Sequence, residues 1–226
     1  MITLVAIVLL LLVFLATITL ILLIIGPTLL LKPRRRSAEF YQALGRPSSP
    51  EQAGLRNEEI IIRTTDGIRL HSWLVKAAGP VRGTVVYMHG VADCKIDGIL
   101  TARLLRDNGY HVFLYDSRRH GESDGLFCTY GYFEKNDVVS VIDYIRSRSD
   151  LAGAPIALFG TSMGAAVAIQ AAAIDSRIRA VIAENSFATL RSVFDDYQRR
   201  MIKLPFHYLR NLVIKRSERM AGFRAN

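Results

Sequence analysis

The run PIALFGTSMGAAVAIQAAA, Pro155 to Ala173, changes periodicity halfway along. Pro155 to Phe159 is a short apolar stretch with the length and composition of a buried strand. Ala165 to Ala173 is a series of small residues that favour a close-packed helix. Between them stands Gly160-Thr161-Ser162-Met163-Gly164. A serine so framed sits on a tight strand-to-helix turn that exposes its hydroxyl, and glycines two residues to either side let the backbone fold sharply and neighbouring elements come close. A serine hydroxyl is a weak nucleophile. It needs exposure, a base, and donors for the oxyanion that forms on the attacked carbonyl. Ser162 is therefore the candidate nucleophile, with Gly160 and Gly164 as its supports.

Working outward, the same alternation of short β-branched or aromatic runs with longer helical runs extends in both directions. Glu59 to Thr64 and Ile68 to Lys76 flank Asp66-Gly67, a hairpin signal. Gly83 to Met88 reads as a buried strand ending at His89-Gly90. A helix from Ile96 to Asn108 closes at Gly109, and Tyr110 to Tyr115 is the next strand. Phe133 to Arg148 carries Val138, Val141, Ile142 and Ile145 at helical spacing, and Ile178 to Ala183 is a further strand. This order predicts an α/β protein with a mostly parallel sheet and helices on both faces. After Ala183 no further apolar strand is legible. Ala188 to Lys203 reads as an amphipathic, lid-like segment and Leu204 to Asn226 as a second, basic one. The sheet is thus expected to stop, truncated, after its sixth strand, with an open edge and an exposed apolar face.

From Val85 to Leu190 the chain resembles the α/β-hydrolase superfamily, in particular its serine aminopeptidase-like, membrane-anchored hydrolase branch. Met88-His89-Gly90 is similar to that branch's oxyanion strand end. Asp116-Ser117-Arg118-Arg119-His120-Gly121-Glu122-Ser123 resembles its Asp-x-Arg-Gly-His-Gly-x-Ser turn, with Arg119 where glycine is usual. Thr129, Gly131, Glu134 and Asp137 resemble the opening of its next helix, and Glu184-Asn185-Ser186-Phe187 the strand end before its lid. The resemblance implies an oxyanion hole from the backbone amides of Met163 and Val91, with His89 and Gly90 in supporting roles, His89 organising a turn. It also implies that Asp116 and His120 are structural. The base and its orienting carboxylate should follow Ser162 on loops after two later strands. Beyond Ser162 the sequence offers Asp195, Asp196 and His207, in the right order but within the lid-like segment. Three readings stay open: a hydrolase acting on an ester, thioester or amide, an inactive, membrane-tethered scaffold with the same fold, and a basic membrane-surface or nucleic-acid binder.

The N-terminus is of a different character. Ile2 to Ile25 contains nothing more polar than Thr3, Thr17 and Thr19. As a helix it would be about 36 Å long against a hydrocarbon core of about 30 Å. No basic leader or small-x-small cleavage site accompanies it, so residues 1–26 are expected to be a signal anchor rather than a cleaved signal. Lys32, Arg34, Arg35 and Arg36 follow at once, which predicts a cytoplasmic C-terminal domain. Residues 27–56, basic and with Pro47-Ser48-Ser49-Pro50 at their centre, are read as a linker, and 57–226 as the folded domain with a lid-like part at 188–226. The net charge of +9 comes partly from the juxtamembrane cluster and partly from the basic C-terminal stretch. No aromatic platform or groove-reading motif accompanies it, so the expected partners are the bilayer and a small or lipid-like acyl substrate rather than nucleic acid. Cys94 and Cys128, the only cysteines, have no metal or redox spacing. Neither a metal nor a cofactor is implied.

Overall fold

The computed structural model describes residues 2–193, 195 and 207–225. They fall into two compact units, one of residues 33–188 and the other of residues 1–32 together with 189–226.

The larger unit is built on one six-stranded sheet. Its strands are β1 (Asn57–Arg63), β2 (Arg69–Val75), β3 (Gly83–Met88), β4 (Tyr110–Tyr115), β5 (Ile156–Thr161) and β6 (Ile178–Glu184), in the spatial order β1-β2-β4-β3-β5-β6. The first two form the antiparallel hairpin, with Asn57 opposite Val75 and Arg63 opposite Arg69. β2 also runs antiparallel to β4, and the remaining pairings are parallel. In this order the two neighbours of β3 are β4 and β5. The crossovers diverge there, and in open sheets of this kind that is the point at which ligands bind, beyond the C-terminal ends of the strands.

Four helices belong to this unit: α2 (Ala38–Ala43), α3 (Ile99–Asp107), α4 (Glu134–Ser147) and α5 (Met163–Ala172), with α1 reserved for the N-terminal helix. Period-two alternation divides the central strands between two cores. Val86, Met88, Phe113 and Tyr115 join Val138, Val141, Ile142 and Ile145 of α4 and Val167 and Ala168 of α5. Tyr87, Val112 and Leu114 face the other way, onto Ile99 and Ala102 of α3 and onto Trp73 and Val75 of β2. Both faces of β3 and β4 are covered, which is why these strands read as largely apolar runs, broken only by Thr84 and His111. β6 lies at the sheet's edge among the described residues, and Ile182 on it is 53% exposed.

Several boundaries differ from the sequence reading, some of them for identifiable reasons. The helix expected from Ile96 begins as a 3-10 turn over Lys95–Gly98, because the Lys95 amide and ammonium are both tied to Asp116, at 2.6 and 2.8 Å. β5 runs on to Thr161 because Gly160 and Thr161 pair with Ala183 and Glu184, and α5 starts already at Met163. The reversal is thus confined to Ser162. The stretch read as a linker is folded from Pro33 onward. It forms α2 and a 3-10 turn at Glu51–Ala53, and the Tyr41 side chain within it is fully buried.

The smaller unit contains α1 (Ile2–Leu31) and α6 (His207–Ala221). The apolar helix extends past Gly26 and through Pro27, six residues beyond the predicted Ile25. Thr3–Leu31 is long and apolar enough to cross a membrane, and fits either an anchor or a signal sequence. At Gly26 an added methyl group would lie 2.9 Å from Val213 of α6, so the two helices meet backbone to side chain. This contact explains why the segment expected to serve as a lid groups with α1. Within the same unit Arg191 pairs with Glu218 at 3.7 Å and Arg210 with Asp195.

Candidate active site

The turn between β5 and α5 places Ser162 at φ +51°, ψ −111°. A left-handed φ is costly for a residue with a Cβ and persists only where the surroundings over-determine it. Here they do. The Ser162 amide donates to the Glu184 carbonyl at 2.8 Å and its own carbonyl accepts from the Ala166 amide at 3.2 Å, so β6 and α5 hold the residue from opposite sides. The flanking glycines are required by contact. A methyl group at Gly160 would stand 2.3 Å from the Gly164 carbonyl oxygen, and one at Gly164 would stand 2.1 Å from that of Met88. The end of β3, the end of β5 and the start of α5 therefore touch through bare backbone.

Gly90 lies against the serine, since a methyl group there would be 3.6 Å from the Ser162 Cβ. The next residue, Val91, stands in an exposed turn, 37% accessible. Met163 opens α5, where the first amides have no intrahelical acceptor and the helix dipole favours negative charge. Ser162, Gly90, Val91 and Met163 thus follow the C-terminal ends of β3 and β5, where the crossovers diverge.

The histidines near this point are each fixed by hydrogen bonds to backbone. His89 is fully buried. The Ser117 amide donates to its Nε2 at 3.0 Å, which leaves Nδ1 to carry the proton and donate to the Gly90 carbonyl at 2.8 Å. Both ring nitrogens are committed to backbone, so His89 fixes the entry to the Gly90 loop. The His120 ring lies 5.0 Å from it, and Nδ1 of His120 donates to the Arg118 carbonyl at 2.9 Å. Burial, reinforced by the neighbouring His89, pushes the His120 pKa down to about 3. It is a neutral ring.

Asp116 is the centre of the turn that precedes His120. Its carboxylate accepts from the Lys95 amide, the Lys95 ammonium and, at 2.9 Å, the Glu122 amide. Gly121 packs so closely that a methyl group there would be 2.2 Å from the Asp116 carboxylate. The Glu134 carboxylate does similar work at the start of α4, accepting from the Thr129 amide, the Thr129 hydroxyl and the Gly131 amide. Arg118 is held by the buried Asp137 through Nε at 2.7 Å and Nη2 at 2.5 Å. Burial pushes the Cys94 thiol up to about 11 and that of Cys128 well above its usual value. Neither is a thiolate at neutral pH.

The other candidates, Asp195, Asp196 and His207, belong to the stretch 189–226 of the smaller unit. Asp195 pairs with Arg210 in the smaller unit. Asp196 lies outside the described residues, and His207 begins α6 without a described side chain. The structure adds one group that sequence reasoning missed. Asp93, in the loop after Gly90, is held by Arg36 and Tyr41, which lie 57 and 52 residues away. No local spacing signals such a pairing.

Residues 79–224 match the family model described as "Serine aminopeptidase, S33". The chain is similar to the protein YqkD of Bacillus subtilis, with 35% identity over 38% of this chain and 28% of that one. It is similar to the thiohydrolase aneE of Aspergillus aculeatus, with 33% identity over 55% of this chain and 40% of that one. Among solved structures it is similar to an esterase of Pyrococcus furiosus, with a TM-score of 0.63 and 25% identity over 78% of this chain and 66% of that one. The chain spans less than two-thirds of the length of each of these relatives.

Proposed function

The chain belongs to the serine aminopeptidase S33 family of α/β-hydrolases, and from that premise we propose that it is a membrane-anchored serine hydrolase that cleaves an ester, thioester or amide through an acyl-enzyme on Ser162. The observation that carries this reading is the backbone of Ser162, at φ +51° and ψ −111° between β5 and α5 with Gly90 packed against it. A strained, single-residue reversal held from both sides is costly, and it is retained where exposure of the hydroxyl is the purpose.

In this reading Ser162 Oγ attacks the substrate carbonyl carbon. The amides of Val91 and Met163 hold the resulting oxyanion, and the N-terminus of α5 adds its dipole. Collapse of the tetrahedral intermediate expels an alcohol, thiol or amine and leaves the acyl-enzyme, which water then cleaves. We assign the base and its orienting carboxylate to a part of the protein outside the described residues. The commitment of both His89 nitrogens to backbone, and the pairing of Asp195 with Arg210, support that assignment. The names of the Pyrococcus esterase and the Aspergillus thiohydrolase favour an ester or thioester. α1 serves as the anchor, the body from Pro33 as the hydrolase, and the basic residues after the span favour a cytoplasmic body.

The rival reading, an inactive membrane-tethered scaffold, is favoured by one observation: His89, the histidine next to Gly90, has both ring nitrogens committed to backbone. One experiment decides between them. The full-length chain in detergent is treated with a fluorophosphonate reporter and assayed on a short-chain p-nitrophenyl ester. Covalent labelling and hydrolysis are the expected result, both lost in Ser162→Ala by a factor on the order of 10³ or more with the melting temperature retained. A folded protein that does not label overturns the hydrolase reading in favour of the scaffold.

A further inference from the structure

The loop Gly90–Cys94 starts against Ser162, where a methyl group on Gly90 would lie 3.6 Å from the serine Cβ, and it is held at three points. At its start the His89 ring donates to the Gly90 carbonyl at 2.8 Å. At its end Lys95 is tied through amide and ammonium to Asp116. The third hold is in the middle and comes from outside the sheet altogether. Arg36 Nη1 donates to Asp93 Oδ2 at 2.6 Å, and the Tyr41 hydroxyl donates to Asp93 Oδ1. Both carboxylate oxygens are thereby engaged, and the Asp93 side chain is only 14% exposed.

The residues that grip Asp93 are themselves fixed. Tyr41 is fully buried, its hydroxyl accepts a 3.7 Å contact from the Cys94 thiol, and the Arg46 guanidinium stacks 5.3 Å from its ring. Arg46 in turn donates to the Asp97 carboxylate at 3.0 Å and to the Asp97 carbonyl at 2.9 Å, and the Tyr87 hydroxyl of β3 donates to that same carboxylate at 2.7 Å. Arg36 lies 4.5 Å over the Phe40 ring. The loop needs such restraint. Ala92 sits at φ +64°, a left-handed conformation that is unfavourable for a residue with a Cβ and relaxes unless it is held.

We propose that Arg36 and Tyr41 are positioning residues for the oxyanion loop: by holding Asp93 they fix the loop that presents the Val91 amide beside Ser162. The catalytic half of this statement rests on the Ser162 reading above, and the structural half does not. An oxyanion donor acts only within a few tenths of an ångström of its required position, and loss of one such donor costs about 10²–10³ in kcat. A loop released in its middle keeps the donor but blurs its place, so the effect is a fraction of that. The segment that follows the apolar helix directly, starting five residues after Leu31, is then part of the active-site architecture and not a tether.

The test uses the full-length chain in detergent, as wild type, Tyr41→Phe, which removes one hydroxyl and keeps the ring, Arg36→Gln, and Arg36→Lys. Hydrogen–deuterium exchange is followed on the peptide covering Val91 to Lys95, where the Asp93 amide bonds to the Gly90 carbonyl. The expected result is exchange roughly tenfold faster in Tyr41→Phe and Arg36→Gln, with peptides from β3 and β5 unchanged. On a p-nitrophenyl ester, kcat falls about tenfold with KM within about twofold, and Arg36→Lys recovers most of both readouts. Unchanged exchange in both variants overturns the proposal. So does faster exchange with an unaltered kcat in a chain whose wild type labels at Ser162. In a chain that fluorophosphonate leaves unlabelled, the Ser162 reading has failed, and the exchange measurement alone decides whether Arg36 and Tyr41 hold the loop.

Discussion

Arg119 stands where the family turn has glycine, and the reason for glycine is visible in its φ of +69°. The departure is legible in the sequence, whereas its cost is not, because a backbone angle depends on the turn closing through the Arg119 amide onto the Asp124 carbonyl at 2.8 Å. The next residue yields a prediction. His120 is buried and neutral with a pKa of about 3, against about 6.5 in an unfolded chain. As pH falls below about 6.5 the unfolded state binds a proton that the folded state refuses, so this contribution to stability is complete above that pH and is lost as pH falls towards 3. Between pH 6.5 and 5 the site alone should lower the unfolding free energy by up to about 1.4 kcal/mol per pH unit. Urea unfolding of His120→Asn across that window should show the slope reduced by that amount, whatever its absolute stability. An identical slope in both proteins would show that His120 takes up its proton while folded. At this scale the chain reveals what is local in sequence. Ser162 and its glycines are singled out by the strand-turn-helix pattern around them, whereas the pairing of Asp93 with Tyr41 exists only once the chain has closed.

At the scale of elements the junction of β5 and α5 is the most demanding. Gly164→Ala would drive a methyl group to 2.1 Å from the Met88 carbonyl oxygen, a backbone atom that cannot step aside without moving β3. The expected cost is about 3 kcal/mol, read as a shift of the denaturation midpoint, and fluorophosphonate labelling should fall even in protein that remains folded. A loss under about 0.5 kcal/mol would mean that α5 can lift from the sheet. The strands β3 and β4 are legible to the residue because both faces are covered and most positions are apolar, with Thr84 and His111 the polar exceptions. Strand β5 extends past its apolar run because its last two residues are fixed by pairing with β6, a property of the partner and not of their own side chains. The stretch between Pro33 and Arg56 is misread as a linker for a related reason. Its prolines and serines are those of a loop, and its order comes from Tyr41 and from Arg36 and Arg46 meeting aspartates far along the chain.

For the whole molecule, the division into a body and a unit built around an apolar helix makes its own prediction. If α1 anchors the protein, the full chain will sediment with membranes and resist carbonate extraction. Arginines at Leu12 and Leu15 each cost about 2.5–3.5 kcal/mol at the centre of a span, so the double variant Leu12→Arg with Leu15→Arg should move most of the protein to the soluble fraction. Retention in the membrane pellet would assign the attachment to another surface, with the basic helix α6 the first to examine.

The basic cluster behind α1 has a consequence in time. Arg35 donates to the Gly121 carbonyl at 2.9 Å and Arg36 is taken by Asp93, so in the finished fold these two cations are satisfied by the body. Any influence they exert on how the apolar helix enters a bilayer belongs to the nascent chain, in the interval after the ribosome has released Arg36 and before Gly121 and Asp93 have been translated and folded. Orientation and folding would then draw on the same side chains in succession, and the order of synthesis, N-terminus first, keeps the two uses from competing.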